Sequence, residues 1–343
     1  MFPFNISSSL PVALGLFFVS LIIVIAASTR FTRKLEELCV AFNLSIGMLS
    51  LLSALGANIP NYVASALAIF AGHDDVGIGI IVGSNIYNLA IILGLCTFFT
   101  PERAGMTLNT QEKRDIRTIV RYTFVITLLS FVVIAWLPGE PSLSTIHTTH
   151  IALLLAALGT LGIFGAFLLH LIRRPRGGEG TSLHPHDHSK REASWSMLRL
   201  GSEIIFTLVV ALGGVLVMVQ SGQTMTADVH MPSVLAGLLV LAVATSLPNT
   251  VVAISLVRTG EAAACIEEVC NSGSINTALG IVLPLVFWPG FLKDRFVLFL
   301  DAPLTLVLAI GVFFWVVRGR ISRIAGALLL VTYMAWVLLR LWM

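Results

Sequence analysis

Two stretches of this chain lie 188 residues apart and repeat one another, each a polar patch interrupted by proline inside an apolar run. The first reads Gly56-Ala57-Asn58-Ile59-Pro60-Asn61 and continues to Gly83-Ser84-Asn85-Ile86-Tyr87-Asn88. The second reads Ala244-Thr245-Ser246-Leu247-Pro248-Asn249 and continues to Asn271-Ser272-Gly273-Ser274-Ile275-Asn276. Pro60 and Pro248, Asn61 and Asn249, Gly72 and Gly260, Ser84 and Ser272, and Asn88 and Asn276 all keep that one offset. Proline lacks a backbone donor and clashes with the carbonyl four residues earlier, so a helix break is expected at both copies. Internal repeats with interrupted apolar segments are how membrane carriers build a binding site.

The composition places these patches in a bilayer. The chain is 57% apolar and 11% charged, with a mean hydropathy of +0.93. A soluble globular domain carries about a quarter charged residues. Apolar runs of about 20 residues, the length that spans the hydrocarbon layer, recur along the whole chain. Ten spans are expected, near 10–28, 38–70, 76–99, 119–137, 150–172, 200–220, 231–257, 262–288, 296–317 and 322–342. The second and seventh hold the prolines. The expected fold is therefore an all-α membrane protein of two five-helix repeats, residues 1–172 and 200–343, joined by a cytoplasmic linker at 173–199.

The basic residues set the orientation. With the N-terminus outside, eighteen of the 21 Lys and Arg fall in inside loops, from Arg30, Arg33 and Lys34 to Arg318, Arg320 and Arg323. Only Lys293, Arg295 and Arg340 fall outside. This positive-inside bias puts both termini outside and the linker in the cytoplasm. Five spans per half is odd, so the second half enters from the opposite face. The repeats are then inverted, and their proline-bearing spans run antiparallel and meet near the midplane.

Other features are plainer. No basic segment precedes the first apolar run, so a retained span is expected there and not a cleaved signal. Cys39, Cys96, Cys265 and Cys270 sit in or beside spans and read as small buried side chains. Asn5-Ile6-Ser7 is a weak glycosylation sequon. In the linker, His184, His186 and His188 alternate in a way that suits a transition metal, although the segment's composition favours a solvated tether.

Polar groups inside lipid-embedded helices need partners. A break at Pro60 or Pro248 frees carbonyls near positions 56 and 244, and Asn58, Asn61, Thr245, Ser246 and Asn249 add side-chain oxygens there. Ser84 and Asn88 are one helical turn apart, as are Ser272 and Asn276, with Glu268 a turn before Ser272 and Asn85 on a neighbouring face. Small polar residues also serve simply to glue helices together. The duplication around two prolines favours an all-oxygen cation site, with Asn61, Asn249, Asn85 and Glu268 against the ion.

At these residues the chain resembles the cation/Ca2+ antiporter superfamily, which includes the sodium/calcium, potassium-dependent sodium/calcium and proton/calcium exchangers. That family carries two inverted repeats, each with a Gly-Thr-Ser-Leu-Pro-Glu-like element followed by Gly-Asn-x-x-Gly-Ser-Asn/Asp and a further Asn. Gly56 to Asn61 and Ala244 to Asn249 match the first element; Gly79 to Asn88 match the second closely and Glu267 to Asn276 loosely. The resemblance implies an exchanger fold and a secondary cation antiporter working by alternating access. Transported Na+, Ca2+, H+ or another cation would be its substrate, with no resident cofactor. The departures bear on the ion, because the family's two central glutamates fall at Asn61 and Asn249. Its Gly-Asn asparagine becomes Ile80 in one repeat and Glu268 in the other.

Two neutral amides where the family places carboxylates predict weak calcium binding, since calcium affinity rises with ligand charge. Asp74, Asp75 and Glu261 read as helix-entry residues; Glu268, and less so Glu267, faces the pathway. No Gly-rich Lys-Ser/Thr loop or hydrolase motif is present, which argues against an ATP-driven pump or an enzyme. The alternative is an exchanger-fold protein that has lost transport and serves as a partner or regulatory subunit. The expected surroundings are membrane lipid and small inorganic cations, without nucleic acid, in a bacterial inner membrane.

Overall fold

The computed structural model describes residues 10–42, 46–138, 146–173, 195–228, 231–288 and 290–343. Asn5, Ser182 and the three linker histidines lie outside these residues. The helices are α1 (Leu10–Ala41), α2 (Ile46–Ala57), α3 (Ile59–Phe70), α4 (Asp74–Phe99), α5 (Thr110–Ala135) and α6 (Ile146–Arg173) in the first half. The second half holds α7 (Trp195–Asp228), α8 (Ser233–Arg258), α9 (Ala262–Phe287), α10 (Val297–Arg318) and α11 (Arg323–Trp342). Among the described residues nine helices are long and apolar enough to cross a membrane. The short helices α2 and α3, 12 residues each, lie where the remaining span of the ten-span plan is expected.

The interior is a hydrophobic core with polar side chains set into it, and the outside is apolar. The central helices α4 and α9 have hydrophobic windows 94% and 83% buried, against 28% for α1 and 33% for α7. Phe206, Phe299 and Ile324 stand out toward the lipid side. Helices α1 and α7, the first of each half, lie along one another at the periphery, bridged by Lys34 and Glu203 at 3.2 Å.

The duplication is visible in the backbone. Helix α3 ends on Gly72 at φ 80° and α8 on Gly260 at φ 87°. In each, the glycine amide donates to the carbonyl three residues back, and the next amide to the carbonyl five back: Gly72 to Ile69 and His73 to Ala68, then Gly260 to Val257 and Glu261 to Leu256. This is the Schellman cap, whose left-handed residue favours glycine. Both central helices then widen into a π-helical turn that begins at matching asparagines, Asn88–Ile92 in α4 and Asn276–Val282 in α9.

The breaks themselves differ. Asn58 leaves the helical conformation (φ −95°, ψ 0°), and Pro60 falls in the first turn of α3, where a missing donor costs little. Pro248, expected to break its span likewise, lies inside a continuous α8. The same span carries a π-helical turn earlier, at Ala236–Leu241. Thr245 and Thr250 hydroxyls bond back onto the carbonyls of Leu241 and Ser246, at 2.8 and 3.0 Å, within the same helix.

Loops assigned by charge to one face meet one another. A two-residue antiparallel ladder joins β1 (Met106–Thr107) to β2 (Arg320–Ile321), two segments expected inside. On the opposite face, Asp74 and Asp75 at the entry of α4 accept the backbone amides of Phe291 and Lys293, each at 3.0 Å. Glu261 occupies the equivalent N-cap of α9.

Candidate cation site between the repeats

The site is assembled where α2, α3 and α4 of the first half meet α8 and α9 of the second. At its centre, Asn58 donates through Nδ2 to Ser272 Oγ at 2.8 Å and to the Ala54 carbonyl at 2.7 Å. Its Oδ1 accepts from Asn61 Nδ2 at 3.2 Å and from Asn249 Nδ2 at 2.7 Å. Ser272 in turn donates to Glu268 Oε1 at 3.3 Å, one turn back on α9. One network thus runs from both proline elements to the carboxylate.

A second contact is its repeat mate. Ser84 and Ser246 hydroxyls meet at 2.7 Å, and they occupy the positions equivalent to Ser272 and Asn58. The two contacts are related by the 188-residue offset with the halves exchanged, as a pseudo-two-fold between inverted repeats requires. Asn85 Nδ2 donates to Thr277 Oγ1 at 2.9 Å, a further bond between the halves.

The network leaves oxygens over. Oδ1 of Asn61, Asn85 and Asn249 is buried without a hydrogen bond while each Nδ2 is bonded, and Asn88, Asn271 and Asn276 are buried with neither amide atom bonded. An unsatisfied buried polar atom costs on the order of 1–3 kcal/mol, so the idle oxygens of Asn61, Asn85 and Asn249 point to a ligand that accepts their lone pairs. They carry no formal charge, and Glu268, 6% exposed, supplies the carboxylate in the network. Among the described residues no group of three His, Cys, Asp or Glu could hold a metal. The arrangement suits coordination by neutral oxygens.

The structure brings Asn58, Asn61, Asn249, Ser272 and Glu268 into one network and Ser84 with Ser246 into a second. Asn85, Asn88 and Asn276 are buried but make no hydrogen bond to that network. Thr245 is buried with its hydroxyl proton directed into its own helix. Three residues escaped the sequence reading. Ser65, one turn after Asn61, bridges toward the carbonyls of Gly77 and Gly280, each at 2.7 Å. Asn271 is fully buried with neither amide atom bonded, and Thr277 holds Asn85. Ser65 shares the Asn61 face at helical spacing, which was a usable signal; Thr277 had none. Cys96, Cys265 and Cys270 are buried free thiols, as small side chains would be.

The sodium/calcium exchanger protein family matches residues 12–173 and 202–342. Sodium/potassium/calcium exchanger 4 of Mus musculus is 32% identical over 131 residues, 37% of this chain and 20% of the mouse protein. The chain therefore aligns with only a fifth of that relative's length. Inner membrane protein YrbG of Escherichia coli (strain K12) is 25% identical over 344 residues, 96% of this chain and 97% of its own. Among solved structures, an H+/Ca2+ exchanger, CAX, superposes with a TM-score of 0.74 at 17% identity, covering 96% of this chain and 86% of that one. The sodium-calcium exchanger NCX_Mj superposes at 0.64 and 16% identity, covering 95% and 98%. At these identities the structural likeness speaks for the fold, the inverted-repeat exchanger architecture. With a match over nearly its whole length, this chain is an integral membrane protein that belongs to the sodium/calcium exchanger protein family.

Proposed function

We propose that the protein is a secondary active antiporter that carries small cations through the site between its repeats, which opens alternately to the two sides of the membrane. One observation carries this reading: asparagines from both proline elements converge on one amide, and the buried amide oxygens of Asn61, Asn85 and Asn249 make no hydrogen bond. A neutral oxygen cage favours a monovalent cation. Dehydrating a divalent ion is costly, and charged ligands are what repay it. Glu268, tied to the network through Ser272, restores part of the charge.

The first test is flux in proteoliposomes under imposed Na+, K+, Ca2+, Mg2+ and proton gradients. Countertransport of a monovalent cation is the expected result. Absence of flux under every gradient would leave the alternative, an exchanger-fold partner protein without transport. The proposed setting is a bacterial inner membrane with the 173–199 segment cytoplasmic. A Ser182→Cys variant should be labelled by impermeant thiol reagents only from the inside; labelling in intact cells would reverse the orientation.

A further inference from the structure

A carboxylate presents an oxygen whichever way it turns, whereas an amide has one oxygen and one NH2. A cation site built from asparagines therefore needs something to decide which end faces the ion. At the crossing of the repeats that decision is made at Asn58. Its Nδ2 lies 2.7 Å from the Ala54 carbonyl, which can only accept, so this end of the amide is the NH2. The second hydrogen goes to Ser272 Oγ. The other end must then be the oxygen, and it faces the amides of Asn61 and Asn249. Both must turn their NH2 toward it. Their oxygens consequently point elsewhere, buried and without a hydrogen bond.

One backbone carbonyl thus fixes three amides in sequence. Asn58 differs from the other buried asparagines of the site: both of its amide atoms are bonded, and it has no idle oxygen. Its repeat mate is Ser246, which makes the equivalent contact to Ser84 through a single hydroxyl. A hydroxyl there would preserve that contact, but it carries no amide to orient two others.

From these contacts we propose that Asn58 is a positioning residue and not an ion ligand: it turns the oxygens of Asn61 and Asn249 toward the transported cation. This rests on the proposed cation site. Without Asn58 each amide is free to present either end. With two amides about a quarter of the molecules then offer both oxygens, which weakens apparent affinity about fourfold.

The experiment measures binding of radioactive sodium, and of radioactive potassium, to the purified full-length protein, to Asn58→Ser and to Asn58→Ala, with melting curves to confirm that each is folded. Ser is the residue of the repeat mate and the gentler change. The same two substitutions are then made in a background carrying Asn61→Asp and Asn249→Asp, which are isosteric and need no orienting. The expected result is a loss of about fourfold or more in the native background and less than about twofold in the aspartate background. Equal losses in both backgrounds would make Asn58 a ligand or a structural prop and overturn the inference. So would unchanged affinity in the native background. Absence of binding of both radioactive sodium and potassium by the unmodified protein would instead overturn the proposed monovalent-cation site, and the inference with it.

Discussion

The central helices of the two halves are copies by sequence offset, yet α4 is held by close backbone approach and α9 carries the polar load. Gly77, Gly79 and Gly83 in α4 correspond to Cys265, Glu267 and Asn271 in α9, and Ile80 to Glu268. A Cβ at Gly77 would lie 2.7 Å from the Ser65 carbonyl oxygen, and one at Gly79 2.8 Å from that of Val234. At Gly83 it would run into the Leu238 carbonyl. Gly237 on α8 closes the contact from the other side, against the Val76 carbonyl. Lipid gives no hydrophobic drive for helix association, so close approach of small residues supplies it. Helix α9 has side chains at all three points and gains a carboxylate and an amide in the interior. A duplicated fold can therefore let one copy pack by close backbone approach at positions where the other carries polar side chains.

The sharpest asymmetry predicts the largest effect. Arg340, 2% exposed, pairs with Asp294 at 2.6 Å and with fully buried Asp301 at 3.5 Å, while Trp336 Nε1 donates to Asp301 at 2.8 Å. The equivalent first-half positions hold Lys113 and Ala152 instead of Asp301 and Arg340. Removing one member of a buried pair strands the other, at a cost of about 3–5 kcal/mol. Arg340→Met should lower the melting temperature more than any substitution in α4. A melting curve equal to that of the unmodified protein would show that the second half does not depend on this lock.

Next comes the close backbone approach of α4. Gly83→Ala forces α4 off the Leu238 carbonyl and should destabilise the protein by about 1–3 kcal/mol, the usual range for overpacking. Its repeat mate, Asn271→Ala, removes an unbonded amide and should cost little stability while reducing cation flux. Equal melting-point losses in the two variants would erase the contrast between the helices.

The smallest effect concerns the carboxylate. Glu268→Gln keeps the shape and the bond from Ser272 but removes the charge. It should reduce cation affinity about tenfold, or about 1.4 kcal/mol, with no change in melting temperature beyond a few degrees. Unaltered flux would place Glu268 outside the transport path.

Much of this architecture was legible because the repeat carries its own register. The offset marked Gly72 and Gly260, which cap their helices identically, and Asn88 and Asn276, where both π-helical turns begin. Loop charge grouped segments that do meet in the fold. The fate of Pro248 was not legible, since one repeat breaks its helix at Asn58 before Pro60 and the other keeps Pro248 inside a continuous helix. Nor was the central place of Asn58. Its partners Ser272 and Asn249 lie 214 and 191 residues away, and only packing decides which side chain reaches across. The pairing of Asp301 with Arg340 escaped for the same reason.

On the proposed function, neutral amides at Asn61 and Asn249 make the site poorly suited to calcium. Each missing charge several ångströms from a divalent ion is worth about 1–4 kcal/mol after screening. Two of them lower calcium affinity by on the order of a hundredfold or more. The direct measurement is calcium uptake and binding by proteoliposomes of the native protein beside the Asn61→Glu, Asn249→Glu variant. The expected result is no saturable calcium uptake at micromolar concentration in the native protein and a large gain in calcium affinity in the variant. Saturable micromolar uptake by the native protein would contradict it and make the chain a calcium exchanger with unusual ligands.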